Sequence, residues 1–324
     1  MRRRTAALMA APLLLAVACG GAEDADVGAG VTATEELEEV TVGVIPTVDV
    51  APLYLGEEKG FFADQGIDLT FEAGRGGATI VPGVINGQYD IGFSNMVSLL
   101  QAAEQELPLE LVGSGVASTG VPGADFAAVV VLPSSGITDA AGLADKRIAV
   151  NTRNNIGTTT VNESIRTAGA DPSGVEYVEV PFPDMPEALA DGDVDAIAVV
   201  EPYLTMATAD GAVVVASNLV DAVPGLTVAA YFTSRELATE EPDLVERFTI
   251  ALEQSLQYAS QHGDEARAVL RYYMETEIDQ AVLRSMTLPA WPTEFDRSSV
   301  QRLADLAIED GLLTEEPDLD ALLP

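Results

Sequence analysis

The chain contains one histidine, His262, and one cysteine, Cys19, which leaves little for nucleophilic or metal chemistry. His262 precedes Gly263 at a predicted helix end, where a histidine usually interacts with the last helical carbonyls. Ser-His-Asp and Cys-His catalysis therefore lack a base, and a His/Cys zinc site lacks ligands. Gly74-Arg75-Gly76-Gly77 is not followed by Gly-Lys-Ser/Thr, so a nucleotide P-loop is not supported, and no loop has EF-hand spacing. Acids occur throughout without any pair singled out for catalysis. Carboxylate catalysis stays open without a candidate pair, and the chemistry the chain favours is that of holding a molecule, with no cofactor implied. Arg75 and Arg153 fall in loops at predicted strand ends, where the paired N–H donors of a guanidinium suit a sulfonate, nitrate or carboxylate. Asp49 and Glu201 also follow strands, and either would hold an amine or a pyrimidine amino group instead.

Around these charges stand further candidates to touch a ligand. Thr47, Gly76, Asn151 and Asn154 lie in loops that lead into predicted helix N-termini, where backbone N–H groups converge. Ser94, Asn95 and Ser114 end predicted strands and would orient a polar head group, although Ser and Asn also simply cap helices. Tyr54, Phe182, Tyr203 and Tyr231 are candidate walls; a tyrosine near a strand end is at least as often core. Each arginine has an equally plain role as partner to a nearby acid. Trp291 is expected to pack at the C-terminal end of the chain, away from the cleft.

The elements that must position these residues begin at 40–62, VTVGVIPTVDVAPLYLGEEKGFF. Val42, Val44 and Ile45 read as a buried strand ended by Pro46, and Pro52 suits the first turn of a helix. Strand 67–71, a helix over 78–86 stopped by Gly87, and strand 90–95 follow. The same order returns from Lys146: strand 147–150, a helix to Ala168 stopped by Gly169, strand 175–180, a helix opened by Asp184 and Glu187 as a capping box, and strand 195–200. Gly66 matches Gly169, Gly87 matches Gly192 and Asp90 matches Asp195 at a nearly constant offset. Two βαβαβ units of one design predict two α/β lobes with mostly parallel sheets. Ligands of such sheets sit off the carboxyl ends of the strands, so two facing lobes make a central cleft. Lobe one is expected over 40–132, lobe two over 133–226, and 227–324 supplies a return strand (226–233) and helices packed on the back of lobe one. Two crossings between lobes would form a hinge.

Charge narrows the partners. Against 52 acidic residues stand 16 basic ones, Arg2, Arg3 and Arg4 among them, for a net charge of −36. Such a surface repels nucleic acid and anionic lipid. The chain opens MRRRTAALMAAPLLLAVAC, which reads as a signal peptide over 1–18, too short for a comfortable membrane span. Small residues before Cys19 resemble the lipobox of bacterial lipoproteins. Residues 19–39 would then be a lipidated cysteine and a flexible acidic tether, poor in apolar side chains.

Several segments together resemble the nitrate/sulfonate/taurine solute-binding proteins of ABC importers, a superfamily that includes thiamine-pyrimidine-precursor proteins. They are APLYL with GFF within 51–62, GQYDIGF at 87–93, VPFPDMPEAL at 180–189, VDAIAVVEPY at 194–203 and LPAWPT at 288–293. The resemblance covers residue 40 to the C-terminus. It implies a type II periplasmic-binding-protein fold, a small-molecule ligand held between lobes, and a permease with its ATPase as partners. It further implies an extracytoplasmic location; with the Cys19 segment and the missing catalytic residues, the expectation is a lipid-anchored monomer that is not an enzyme. A small organic anion is the first expectation for the ligand, and an amino-pyrimidine or related vitamin precursor the second. Within that family the Glu-Pro-aromatic segment recurs whatever the ligand, which favours a structural role for Glu201. The rival from another class is a thiamine-pyrimidine-synthase-like enzyme. Such enzymes use a histidine and a cofactor-bearing lysine, and His262, Lys59 and Lys146 are poorly placed for those roles.

Overall fold

Among the described residues of this computed structural model, short runs of β-branched and aliphatic residues build ten strands, which gather into two five-stranded sheets. The structure describes residues 37–274 and 276–323. The expected signal peptide, Cys19 and the tether as far as residue 36 lie outside the described residues, and the first strand already begins at Glu38.

Lobe one opens with β1 (Glu38–Val44), α1 (Ala51–Glu58), β2 (Ile67–Ala73), α2 (Gly77–Ile85), β3 (Ile91–Asn95), α3 (Met96–Glu104) and β4 (Leu109–Ala117). The chain then crosses to β5 (Ala127–Val131), β6 (Arg147–Val150), α4 (Ile156–Thr167), β7 (Glu176–Glu179), α5 (Met185–Ala190), β8 (Ala196–Val200), α6 (Tyr203–Ala209), β9 (Val213–Ala216) and α7 (Asn218–Ala222). It returns through β10 (Thr227–Ser234). The helices α8 (Arg235–Glu240), α9 (Pro242–Gln261), α10 (Gly263–Tyr273), α11 (Gln280–Ser285), α12 (Arg297–Glu309) and α13 (Leu319–Leu322) follow.

Sheet one has the order β2-β1-β3-β10-β4 and sheet two β7-β6-β8-β5-β9. In each, three adjacent strands pair in parallel and one of the crossing strands, β10 or β5, runs against both its neighbours, so four of the five strands share a direction. The sequence expectation put 127–132 in lobe one. The structure corrects this: β5 pairs with β8 and β9 in sheet two. All five of its residues are buried, so the run carries no alternation to say which sheet it joins.

The duplication has a physical basis at equivalent points. Asp90 accepts the Thr41 N–H at 2.8 Å and its own N–H returns to the Thr41 carbonyl. Asp195 does the same with Arg147, again at 2.8 Å. In each lobe the acid that enters the third parallel strand ties it to the first. Gly87 and Gly192 precede these acids with φ of +69° and +75°, a conformation that costs glycine little.

Helix starts divide. At α4, Asn155 accepts the Gly157 N–H at 2.9 Å while Thr158 accepts the Asn155 N–H, a reciprocal cap. The box expected at Asp184 and Glu187 is absent. A 3-10 turn over Phe182–Asp184 precedes α5 and leaves Asp184 with helical dihedrals, so its side chain makes no capping bond.

Burial follows the pleat. Val129, Val131, Ile148, Val150, Ala196 and Ala198 form a core of lobe two with Val161 and Ile165 of α4. The alternate residues Ala128, Val130, Ala149, Ile197 and Val199 join the larger core that extends through lobe one. There α9 buries Leu244, Phe248, Ala251, Leu252 and Leu256. It approaches α1 at Gly56, where a Cβ would stand 1.8 Å from the Ser255 hydroxyl oxygen. The expected histidine role holds: His262 Nδ1 lies 2.8 Å from the Tyr258 carbonyl, and the two rings stack at 3.8 Å.

The two crossing segments lie side by side, with Ser118 N–H donating to the Leu226 carbonyl at 2.9 Å. Asp125 braces the first, accepting from the Ser118 hydroxyl (2.7 Å) and the Thr119 and Phe126 amides (2.9 and 3.0 Å). Gly123 N–H reaches Ser217 Oγ at 2.8 Å, tying the first crossing to lobe two just before α7. The C-terminal helices do more than back lobe one. From α12 and the residue after it, Arg302 pairs with Glu163 (3.1 Å), and Glu309 (3.2 Å) and Asp310 pair with Arg166, both partners lying on α4 of lobe two.

Candidate functional site

A cavity lies between the lobes, off the carboxyl ends of β1, β3, β6 and β8. Ile45, Asp49, Phe93, Asn95, Val228 and Ala229 form its lobe-one wall. Across from them are Ala127, Val150, Asn151, Asn155, Ile156, Gly157, Phe182, Ala198, Val199, Val200, Asn218 and Leu219. Its volume is about 70 Å³, room for about five waters at the roughly 10–15 Å³ that one needs. The lobes are thus nearly shut. Gly76 permits this approach: a Cβ there would meet Thr152 Cγ2 at 3.0 Å and Asn151 Nδ2 at 3.2 Å. Asn151 Nδ2 also donates across the cleft to the Arg75 carbonyl at 3.1 Å.

Asp49 is the charged side chain on the wall. The loop that carries it leaves β1 at Pro46 and forms a short 3-10 turn before α1. Three bonds from distant parts of the chain fix that loop. The Tyr273 hydroxyl donates to the Thr47 carbonyl (2.8 Å), Trp291 Nε1 to the Asp49 carbonyl (3.2 Å), and the Val48 N–H to the Glu201 carbonyl (3.2 Å). Trp291 is therefore core, as expected, yet it reaches the cleft loop after all. Asp49 is 9% exposed and its Oδ1 has no partner. Burial pushes its pKa up to about 7; the Thr47 hydroxyl and the Asp49 amide pull it back, and the Asp125 charge raises it slightly.

Of the residues singled out from sequence, Asp49, Asn95, Asn151 and Phe182 line the cavity. Thr47 is buried directly behind Asp49, and Gly76 stands at the rim. The structure does not bring the two arginines in. Arg75 is exposed and offers only its carbonyl, while Arg153 is exposed and pairs with Glu179 at 3.8 Å. Asn154 is an exposed turn residue with φ of +57°. Ser94 and Ser114 are fully buried in sheet one, flanking Ala230, and Tyr231 lies in the same sheet against Phe93. Tyr54 stacks on Tyr273 at 4.0 Å, and Tyr203 is buried in α6. Glu201 is committed elsewhere: its carboxylate accepts from the Thr205 hydroxyl (2.7 Å), the Thr205 amide (3.0 Å) and the Thr287 amide (3.1 Å). Burial raises its pKa against those bonds. The Thr287 bond spans the lobes, so Glu201 is a strut rather than a ligand contact.

Sequence reasoning passed over Asn155 and Asn218. Asn155 stood inside a polar loop and its capping pattern was the available signal. Asn218 follows a short strand with no periodic mark. No Arg, Lys or His lines the cavity among the described residues, and those residues hold no cluster of His, Cys, Asp and Glu fit for a metal ion.

Two lobes of mostly parallel sheet closing over an apolar slot define a periplasmic-binding-protein fold of type II. The family model described as NMT1/THI5 like matches residues 47–266, and the chain belongs to that family. The alkanesulfonate-binding protein SsuA from Xanthomonas axonopodis pv. citri, bound to MOPS, superposes with a TM-score of 0.73 at 20% identity, covering 88% of this chain and 98% of that one. A putative aliphatic sulfonates-binding protein of Bacillus subtilis (strain 168) is 26% identical over 239 residues, 72% of this chain and 68% of the relative. A 4-amino-5-hydroxymethyl-2-methylpyrimidine phosphate synthase of Aspergillus parasiticus is 30% identical over 89 residues, which is 28% of this chain and 24% of the synthase.

Proposed function

We propose that this chain is the extracytoplasmic solute-binding component of an ABC-type importer, and that its cargo is a small, ring-like molecule presenting N–H donors, such as an amine, amidine or amino-pyrimidine. The two-lobe fold, the apolar slot and the sulfonate-binding relative support the transport role. The observation that carries the cargo class is Asp49, a buried carboxylate with an unpartnered Oδ1 on a wall to which, among the described residues, no cation contributes. Once Asp49 is ionised, a sulfonate or nitrate brought beside it would meet lone pairs with lone pairs, and both arginines that favoured an anion point to solvent or to Glu179. The anion reading keeps one support, the N-terminus of α4, whose Ile156 and Gly157 stand on the same wall.

Lobe one then comprises 38–117 and 227–323 and lobe two 127–222, hinged at the two crossings. The arginines and apolar run before Cys19 support export and lipid anchoring, with delivery of cargo from a monomer to a membrane permease and its ATPase. The role is capture without conversion. Native mass spectrometry of protein purified without dialysis tests this reading: a bound mass of nitrogen-rich composition is expected. A co-purified sulfonate, or turnover of any bound compound, overturns it.

A further inference from the structure

Asn218 opens α7, is 4% exposed and lines the cavity on the lobe-two side. The way its amide faces follows from its neighbours. The Thr160 hydroxyl donates to the Ile156 carbonyl at 2.8 Å, so the Thr160 oxygen has only lone pairs left to offer. Asn218 Nδ2 donates to that oxygen at 2.8 Å. The carbonyl end, Oδ1, is left buried without a partner.

The other cavity asparagines are different. Asn95 accepts from the Ser98 amide and donates to the Ser98 hydroxyl. Asn155 accepts from Gly157 and donates to Thr152 and Asn151, and Asn151 donates to the Arg75 carbonyl. Each spends both ends of its amide on the protein. Among the described residues, five polar side chains stand on the wall, and of these Asp49 and Asn218 keep a buried oxygen unpaired. Both oxygens are acceptors, and they belong to opposite lobes.

We propose that Asn218 is the second recognition pole of the cleft, and that the cargo carries N–H donors at two separated positions on an apolar frame, bridging Asp49 of lobe one to Asn218 of lobe two. The inference rests on the cargo class proposed above and narrows it. A buried acceptor left unpaired is costly, and a donor from the ligand removes that cost only when the lobes close on it. A molecule with one donor satisfies one lobe; a molecule with two holds the jaws together. Discrimination is thus built into closure.

The probes are benzamidine, with donors at one end of an apolar ring, and 4-aminobenzamidine, with donors at both, each titrated calorimetrically into the full-length protein. The wild type is expected to bind 4-aminobenzamidine about tenfold more tightly than benzamidine. Asn218→Leu brings the ratio to about one by weakening 4-aminobenzamidine. Thr160→Val, which lies behind the wall and releases the amide, also lowers the ratio, and serves if the first variant does not fold. A ratio that persists in the folded variants overturns the second pole, while loss of both amidines in Asp49→Asn leaves the cargo class standing. Binding of neither amidine by the wild type overturns the proposal, and ethanesulfonate, which has no N–H donor, bound in their place overturns the cargo class with it.

Discussion

Replacing Asp49 with Asn separates what this carboxylate does for cargo from what it costs the fold. Its pKa stands near 7 in the folded protein against 3.8 when exposed. Between those values the folded state keeps a proton that the unfolded chain has released. The stability this contributes is present in full below pH 4 and is lost as the pH rises through 7. About three units at roughly 1.36 kcal/mol each make an upper bound of about 4 kcal/mol. Asparagine has no proton to lose. The ligand-free variant is therefore expected to match the wild type near pH 4 and to exceed it by up to about 4 kcal/mol at pH 8. Urea melts of both proteins from pH 4 to 8.5 measure this, and taking the difference cancels the other acids. Binding should move the opposite way. A buried amidinium–carboxylate contact is worth about 2–5 kcal/mol on truncation, so benzamidine affinity falls at least about thirtyfold in the variant. In the wild type that affinity climbs as Asp49 ionises toward pH 7. A variant less stable at pH 8, or a stability difference flat with pH, would refute the argument.

Arg75→Ala and Arg153→Ala should change the affinity for any cargo by less than about twofold, because exposed pairs contribute about 0–1 kcal/mol and neither guanidinium reaches the wall. Gly76→Ala forces Thr152 and Asn151 back by a few tenths of an ångström; calorimetry should show binding weakened severalfold, with a melting temperature close to that of the wild type. Arg166→Met leaves the Asp310 carboxylate, 5% exposed and already shifted up by burial, without its cation. Urea unfolding should record a loss of about 3 kcal/mol, largely restored when Asp310→Leu is added.

Much of this architecture was legible because local chemistry and global fold agree. Asp90 and Asp195 stood out as acids at a repeated offset, and both turn out to bind the amide of the adjacent strand. The glycines before them stop helices through positive φ, which a sequence displays directly. The sheet that β5 joins was not legible, since a uniformly buried run pairs by long-range competition rather than by pattern. For the site, loop position found Asp49 and Asn151 but also promoted two arginines whose side chains turn outward. Loop position fixes where a backbone goes; which way a long side chain points depends on neighbours such as Glu179, which come from elsewhere in the chain. Asn218 was missed because its meaning depends on Thr160, fifty-eight residues away.

The interleaving of the sheets carries a consequence for how the molecule is made. β3 and β4 never touch as neighbours; β10 lies between them, and more than a hundred residues separate it from β4. A chain emerging from its N-terminus can assemble β2, β1 and β3 but must leave a slot in the middle of that sheet until residues 227–234 arrive. Lobe two, whose strands are contiguous in the chain, can finish first. The final act of assembly is then to thread one strand into a waiting gap, and cutting the gene between the lobes would yield one self-sufficient piece and one with a missing stave.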